Sequence, residues 1–414
     1  LQACVMSSSR RVAWLLFAVA WGANHFVPLL LEYRAHLALS SVELAILFGV
    51  YAVGLVPGLL LGGPLSDRRG RRAVVLPASV VALAGTCLLA GGQVGFGVLL
   101  AGRFVVGLGA GATFTAGTAW LQDLAGGEAA GTGPRRAAVA LSSGFGGGPL
   151  LTGVLAQWLP WPMQLPYAVH AAVLVATIVA VVLAPRSEPA GDAPHRSPTA
   201  ATNPSRAGRE ASQGRRRLPS GFATVAVVAP WVFVLPSVSS AVLPGLVRAK
   251  LGAFAVVFAG LVTGSTLLSG VLVQPVLRAW RPPSANTFGL SMGVVGLLCA
   301  ALAAKTGSPF AVLVAALLLG AGYGGCLIAG LRFIETRGSP ETRGRLTGIF
   351  YALTYVGFAW PLALAAIARR IGDVPSLLVT WTLCVLVLAW SACSNHKTSK
   401  ERETGRRGAE SAGQ

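Results

Sequence analysis

Twelve apolar runs, separated by short loops that carry most of the charge, constrain this chain more than any other feature. Each is roughly 20 residues long, the length of a helix that crosses about 30 Å of hydrocarbon at about 1.5 Å per residue. They lie near 12–33, 42–62, 73–91, 95–122, 137–158 and 165–184, and after a break near 221–243, 253–276, 285–304, 309–334, 345–368 and 374–393. No short alternating strands of the membrane-barrel kind occur, and in lipid a spanning segment must satisfy its own backbone polar groups. The runs therefore predict an all-α integral membrane protein of twelve transmembrane helices in two six-helix bundles. A mean hydropathy of +0.67 with only 11% charged residues is too apolar for a water-facing surface.

The break at 186–219 is rich in Pro, Ser, Thr and Arg and has nothing to bury, which predicts a flexible linker. It divides the chain into an N-terminal tail (1–11), a first bundle (12–185), the linker, a second bundle (220–393) and a polar tail (394–414) similar to the linker. The first apolar run lacks an A-x-A-like end, so no cleavable signal is expected. With both termini in the cytoplasm, most of the 33 Lys and Arg fall in cytoplasmic loops and tails. Only Arg34, Arg248, Lys250, Lys305, Arg369 and Arg370 fall outside, and Arg103 and Arg332 inside spans. That bias obeys the positive-inside rule and sets the net charge of +19 against anionic lipid. Arginines scattered over short loops do not suggest nucleic acid. The six cysteines have no ligand spacing, and no HExxH or nucleophile dyad appears, so neither a metal, a cofactor nor an enzyme is expected.

A repeat is visible within the chain. Asp123 and Glu335 close the fourth and tenth spans 212 residues apart, and Pro149 and Pro361 share that offset. Parallel halves related by an axis along the membrane normal would place a binding site between them near the midplane.

The loop between the second and third spans reads Gly63-Pro-Leu-Ser-Asp67-Arg68-Arg-Gly70-Arg71-Arg72. It resembles the G-x-x-x-D-R-x-G-R-R signature of the major facilitator superfamily, and the twelve-span resemblance covers nearly the whole chain. The resemblance implies a transporter working by alternating access. In it Gly63 would let the second helix approach a neighbour closely. Asp67 would latch the cytoplasmic side shut against the N-terminus of the eleventh helix, where the helix dipole is positive. Asp123, Arg332, Glu335, Arg343 and Arg345 would add charge pairs between the halves. The corresponding loop of the second half, Gly270 to Arg278, lacks the acid, which makes the latch one-sided.

In the fifth span, Gly144-Phe-Gly-Gly-Gly148-Pro149-Leu-Leu-Thr152-Gly153 resembles the G-x-x-x-G-P-x-x-G-G pattern of proton-coupled drug antiporters, with Thr152 as the departure. Arg103, Gly107 and Gly111 in the fourth span resemble the superfamily's arginine-glycine motif. A cation inside a bilayer needs a partner. Helix rise puts His25 of the first span and Arg103 at one level, and Trp21, His25, Pro28 and Glu32 form one stripe with Asn24 at its edge. His25 or Glu32, tuned by Arg103, is the expected proton-sensitive element. Trp21, Asn24, Thr115, Thr118, Tyr323 and Tyr355 are the expected cavity residues. The thin polar content of the spans favours a small amphipathic substrate over a sugar or nucleotide. The expectation is a monomer in a bacterial cytoplasmic membrane that exports such a compound in exchange for protons, with inward symport or transporter-like sensing as alternatives.

Overall fold

Pro28 splits the first apolar run. Proline lacks an N–H and clashes with the carbonyl four residues back, so the helix Ser8–Asn24 ends and a second one, Leu30–His36, completes the crossing. Between them the chain tightens into three-residue bonds, Val27 N–H to Asn24 O and Leu29 N–H to Phe26 O, both 3.1 Å. In a continuous helix Val27 would serve the carbonyl of Ala23, which is thereby released for another partner.

The computed structural model describes residues 7–125, 132–184 and 219–412. Almost all of the expected linker lies outside the described residues. The remaining spans of the first half are Ser41–Arg69, Arg71–Ala90, Phe96–Leu124, Thr132–Trp158 and Leu165–Val182. The second half comprises Phe222–Leu246, Arg248–Leu277, Pro282–Thr306, Pro309–Arg337, Thr342–Ile371 and Asp373–Ser394. These 11 are long and apolar enough to cross a membrane, and the broken first span makes the twelfth crossing. Among the described residues there is no strand. The tail from Ser394, expected to be irregular, instead continues the last helix to Ala412; its run of Lys, Glu, Arg and Ala consists largely of good helix formers.

Each half has its own apolar core, one built around Leu15, Tyr33, Leu99 and Tyr167, the other around Val232, Leu290, Leu319 and Phe350. Apolar side chains also cover the outside: Leu272 and Phe310 are 74% and 76% exposed. An apolar exterior of this kind suits hydrocarbon and not water.

Glycines set the closest helix pairings, as expected where lipid offers no hydrophobic drive and backbones must approach. On the second span Gly54 and Gly58 face the carbonyls of Phe104 and Leu108, and on the fourth Gly107 and Gly111 face those of Tyr51 and Leu55. The eighth and tenth spans repeat the arrangement, with Gly270 against Gly320 O and Gly320 against Thr266 O. The fourth-span face that carries Arg103, Gly107 and Gly111 is thus a helix–helix seam.

The fifth and eighth spans join the halves: Gly153 lies against Gly260, Gly146 against Leu268, and Gln157 accepts from Val257 N–H at 3.4 Å. Leu31 packs on Ala255 and Ala259, and Phe48 stacks on Phe358. All these contacts lie from mid-span to the end remote from residue 8. Toward the other end a Cβ on Gly63 or Gly348 would meet nothing within 4 Å. Gly63 therefore makes no close approach to a neighbour here, contrary to expectation, because the halves do not meet at its level. Gly58→Val should cost about 1–3 kcal/mol by overpacking and lower the melting temperature of the purified protein, whereas Gly63→Ala should leave it unchanged; thermal unfolding followed by gel filtration checks both.

Candidate functional site

Arg103 is almost wholly buried, at 1% exposure. Its partners are main-chain carbonyls. Nη1 donates to Ala23 O at 3.1 Å, Nε to Leu47 O at 3.2 Å and Nη2 to Phe48 O at 3.5 Å. Ala23 is the carbonyl released by the break in the first span. The guanidinium also stands 4.8 Å from the ring centre of Phe26 and 4.5 Å from that of Tyr51, where aromatic faces attract a cation. One side chain so ties the first, second and fourth spans.

Glu32 is not brought to Arg103. It pairs with His36 one turn on, at 3.3 Å on the partly exposed second piece of the first span. The break at Pro28 takes Glu32 out of register with the stripe expected from a continuous helix. His25, by contrast, is fully buried beside the Arg103 network, and neither of its ring nitrogens has a partner among the described residues. Its ring meets Tyr167 and His170 edge-on, with centroids 4.7 and 4.6 Å apart. His170 is satisfied on both nitrogens, at 2.9 Å from Ala18 O and 3.2 Å from Thr86 Oγ1. Tyr33 donates to the Tyr167 hydroxyl at 2.9 Å. Tyr33, Tyr167 and Thr86 carried no sequence signal, since isolated polar residues in apolar runs are common.

Trp21 is buried and not in a cavity; its indole donates to Thr152 Oγ1 at 3.3 Å. Thr152, the departure from the antiporter-like pattern, thus supplies the acceptor that a buried indole needs. Gly144 lies against Phe17 O and Ala20, Gly148 against the Trp21 ring, and Pro149 O against Gly260. Together with Gly153 these residues wedge the fifth span between the first and the eighth. Asn24 is partly exposed. Thr115 and Thr118 are also partly exposed and bond back to Gly111 O and Phe114 O of their own helix, at 3.2 and 2.7 Å.

Aromatic rings line the seam between the halves. Phe48 and Tyr51 of the second span meet Phe358 of the eleventh, with centroids 5.5 and 6.3 Å apart. Phe233 of the seventh span lies 4.8 Å from Phe358, stacks on Tyr355 at 5.1 Å and reaches Tyr323 at 6.2 Å. The expected Tyr323 and Tyr355 are therefore brought together, while Phe48, Phe233 and Phe358 were indistinguishable in sequence from other phenylalanines. With Arg103 over Tyr51, the cation stands at one end of this row of rings.

Gly70 joins the second and third spans with φ +90°, a left-handed conformation that favours glycine. Arg71 of the next turn pairs with Asp67 and donates Nε to Asp123 at 3.0 Å. Arg72 donates to Val182 O at 2.6 Å and Ala184 O at 3.2 Å, closing the end of the sixth span. Arg68 is exposed. In the second half Arg332 donates to Arg278 O and Trp280 O, and Arg343 to Gly338 O at 3.0 Å; Glu335 and Arg345 are exposed. Among the described residues no ion pair bridges the halves. Of the charges expected to do so, Asp67, Asp123, Arg332 and Arg343 bind within their own half.

The sequence model of the Major Facilitator Superfamily matches residues 12–361. "Multidrug resistance protein MdtL" of Shigella flexneri serotype 5b (strain 8401) is 36% identical over 104 residues, 25% of this chain and 26% of the relative. The same protein of Escherichia coli (strain K12 / DH10B) is 35% identical over 104 residues with the same coverage. The match thus spans about a quarter of these relatives' length. Among solved structures, the nucleoside transporter NupG aligns with 94% of this chain and 99% of its own at a TM-score of 0.72 and 11% identity. A POT family transporter in complex with 5-aminolevulinic acid covers 94% and 96% at a TM-score of 0.75 and 11% identity. These last two likenesses concern the fold alone.

Lysine at position 103 would keep the charge but present a compact ammonium to carbonyls on two helices. Arg103→Lys should lose about 2 kcal/mol or more, since hydrogen bonds to charged groups contribute roughly 1.5–3 kcal/mol each. A lower melting temperature of the purified variant, beside a milder loss for Phe26→Leu, is the expected result.

Proposed function

This chain belongs to the Major Facilitator Superfamily; it is a multi-pass membrane transporter of a small molecule and not an enzyme, and we propose that it exports an amphipathic compound in exchange for protons. The observation that carries this reading is the row of aromatic rings between the halves, which offers stacking surfaces and few polar groups. Such a lining suits a lipophilic compound better than one that needs many hydrogen bonds. The partial likeness to MdtL supports export.

In this reading the protein is a monomer of a bacterial cytoplasmic membrane with both termini in the cytoplasm. The described conformation is the one that receives substrate, because the halves meet at the remote end and Gly63 and Gly348 face open space at the other. Substrate stacks on Phe233, Tyr355 and Tyr323, and closure at the terminal end brings Asp67 from its pair with Arg71 to the start of the eleventh span. Two states of similar energy are enough, since the latch and the substrate need only bias their populations. His25 is the proton-sensitive residue: it is buried, finds no hydrogen-bond partner on either nitrogen among the described residues and lies beside the cation that holds the broken first span. Protonation there would repel Arg103 and strain the carbonyl cage.

Accumulation of a panel of lipophilic compounds in an efflux-deficient bacterium tests the proposal. Wild type should lower accumulation, a protonophore should abolish the effect, and Asp67→Asn and His25→Asn should each remove most of it at equal membrane expression. Raised accumulation with wild type would mean import and would sink the proposal; unchanged proton dependence in His25→Asn would remove that residue from the coupling.

A further inference from the structure

Between the first and fifth spans, at the end of the bundle that holds the N-terminus, lies a groove of about 750 Å³. Its wall is apolar, formed by Ala13, Trp14 and Phe17 of the first span and Val139 and Ala140 of the fifth, and its rim carries Arg10, Arg135 and Arg136. No acid lines it. Arg136 also donates to Ser9 Oγ at 2.8 Å, which fixes the two helix ends to each other.

The groove opens on the outside of the bundle and not into the seam between the halves. On the fifth span, Arg136, Ala140, Ser143, Gly147, Leu151 and Val154 recur at three and four residues and so share one face. The other faces are occupied: Gly144 and Gly148 pack on the first span, and Gly146 and Gly153 on the eighth. From Ser143 onward the shared face is uncovered. Leu151 and Val154 are 40% and 43% exposed, and a Cβ on Gly147 would meet nothing within 4 Å. Trp14 and Val139, 53% and 59% exposed, open on the same side. In a membrane protein such a surface faces acyl chains, and its arginine-bearing end lies at headgroup level.

We propose that this groove is a binding site for one acidic phospholipid. Guanidinium groups pair with a phosphodiester in forked geometry; all phospholipids offer that group, but the cation of a zwitterionic headgroup is repelled by the three arginines, whereas an acidic lipid presents net negative charge to them. A tryptophan at the same level suits the boundary between headgroup and chain. One acyl chain lies along Ala140, Ser143 and Gly147, where the small side chains leave a trough. The occupant joins the first span, whose break holds Arg103, to the fifth, which packs on the opposite half. It sits outside the substrate path and does not depend on the direction of transport.

Native mass spectrometry of protein extracted from vesicles of phosphatidylcholine with a minor share of phosphatidylglycerol tests the site. Wild type should retain phosphatidylglycerol well above its share of the vesicle. Replacing both Arg10 and Arg135 by glutamine should cut that enrichment about 25-fold, at roughly fivefold per basic residue beside an anionic surface. Gel filtration of the variant checks that it is folded. In the wild-type protein, phosphatidylglycerol with a spin-labelled chain should quench tryptophan fluorescence more than spin-labelled phosphatidylcholine, and Trp14→Phe should remove the difference. Retention in the bulk ratio, enrichment unchanged in the double variant, or quenching without headgroup preference would each overturn the proposal. Displacement of the lipid by millimolar inorganic phosphate would overturn it too, in favour of a free-anion site.

Discussion

A guanidinium in the apolar interior is the constraint around which the first half is arranged. Removing such a charge from water is costly unless its donors find acceptors, and among the described residues no carboxylate pairs with Arg103. The chain answers with backbone. Pro28 breaks the first span, the break frees the Ala23 carbonyl, and the guanidinium takes it while reaching two more carbonyls on the second span. Faces of Phe26 and Tyr51 cover what remains. The kink is thus part of the cation's site, and a straight first helix would leave Arg103 short of a partner.

Close backbone approach makes that cage possible. Arg103 reaches Leu47 and Phe48 because Gly107 and Gly111, one and two turns along the same helix, let the second and fourth spans touch main chain to main chain. The same device joins the eighth and tenth spans, although among the described residues the second half has no buried arginine. Pairing by glycine therefore belongs to the duplicated architecture, and the cation is an addition to one copy. The fifth span uses its glycines differently, on two faces, so one helix packs against its own half and against the opposite one.

The twelve crossings were legible because length and apolarity are local properties, and membrane thickness fixes their scale. The halves were legible through Asp123, Glu335, Pro149 and Pro361. Side-chain partnerships were less so. Periodicity placed Glu32 in line with His25, yet a stripe continues across a proline only if the helix does, and here it does not. On the fourth span Thr115 and Thr118 are expected in a cavity, yet Gly107 and Gly111 of the same helix are covered by the second span, because a small-residue face serves packing as readily as a ligand. Trp21 and Thr152 show the same limit: the indole was expected in a cavity, whereas the threonine that departs from the motif is its acceptor. Phe48, Phe233 and Phe358 gave no sign at all, since a phenylalanine in an apolar run has no pattern that separates a seam from a core.

Those rings connect the cation to the movement expected of two halves. Arg103 lies over Tyr51, Tyr51 and Phe48 meet Phe358, and Phe358 meets Phe233 and Tyr355. Parting the halves at the remote end must separate the second span from the eleventh and so unstack Phe48 and Tyr51 from Phe358. An aromatic pair contributes about 0.5–1.5 kcal/mol beyond its buried area, so two such contacts add about 1–3 kcal/mol to the burial and glycine packing at the remote end. Their contribution is one part of what holds that end closed. It also falls on Tyr51, the ring that covers the guanidinium, so the position of the second half reaches the buried charge through direct contact rather than through a long relay.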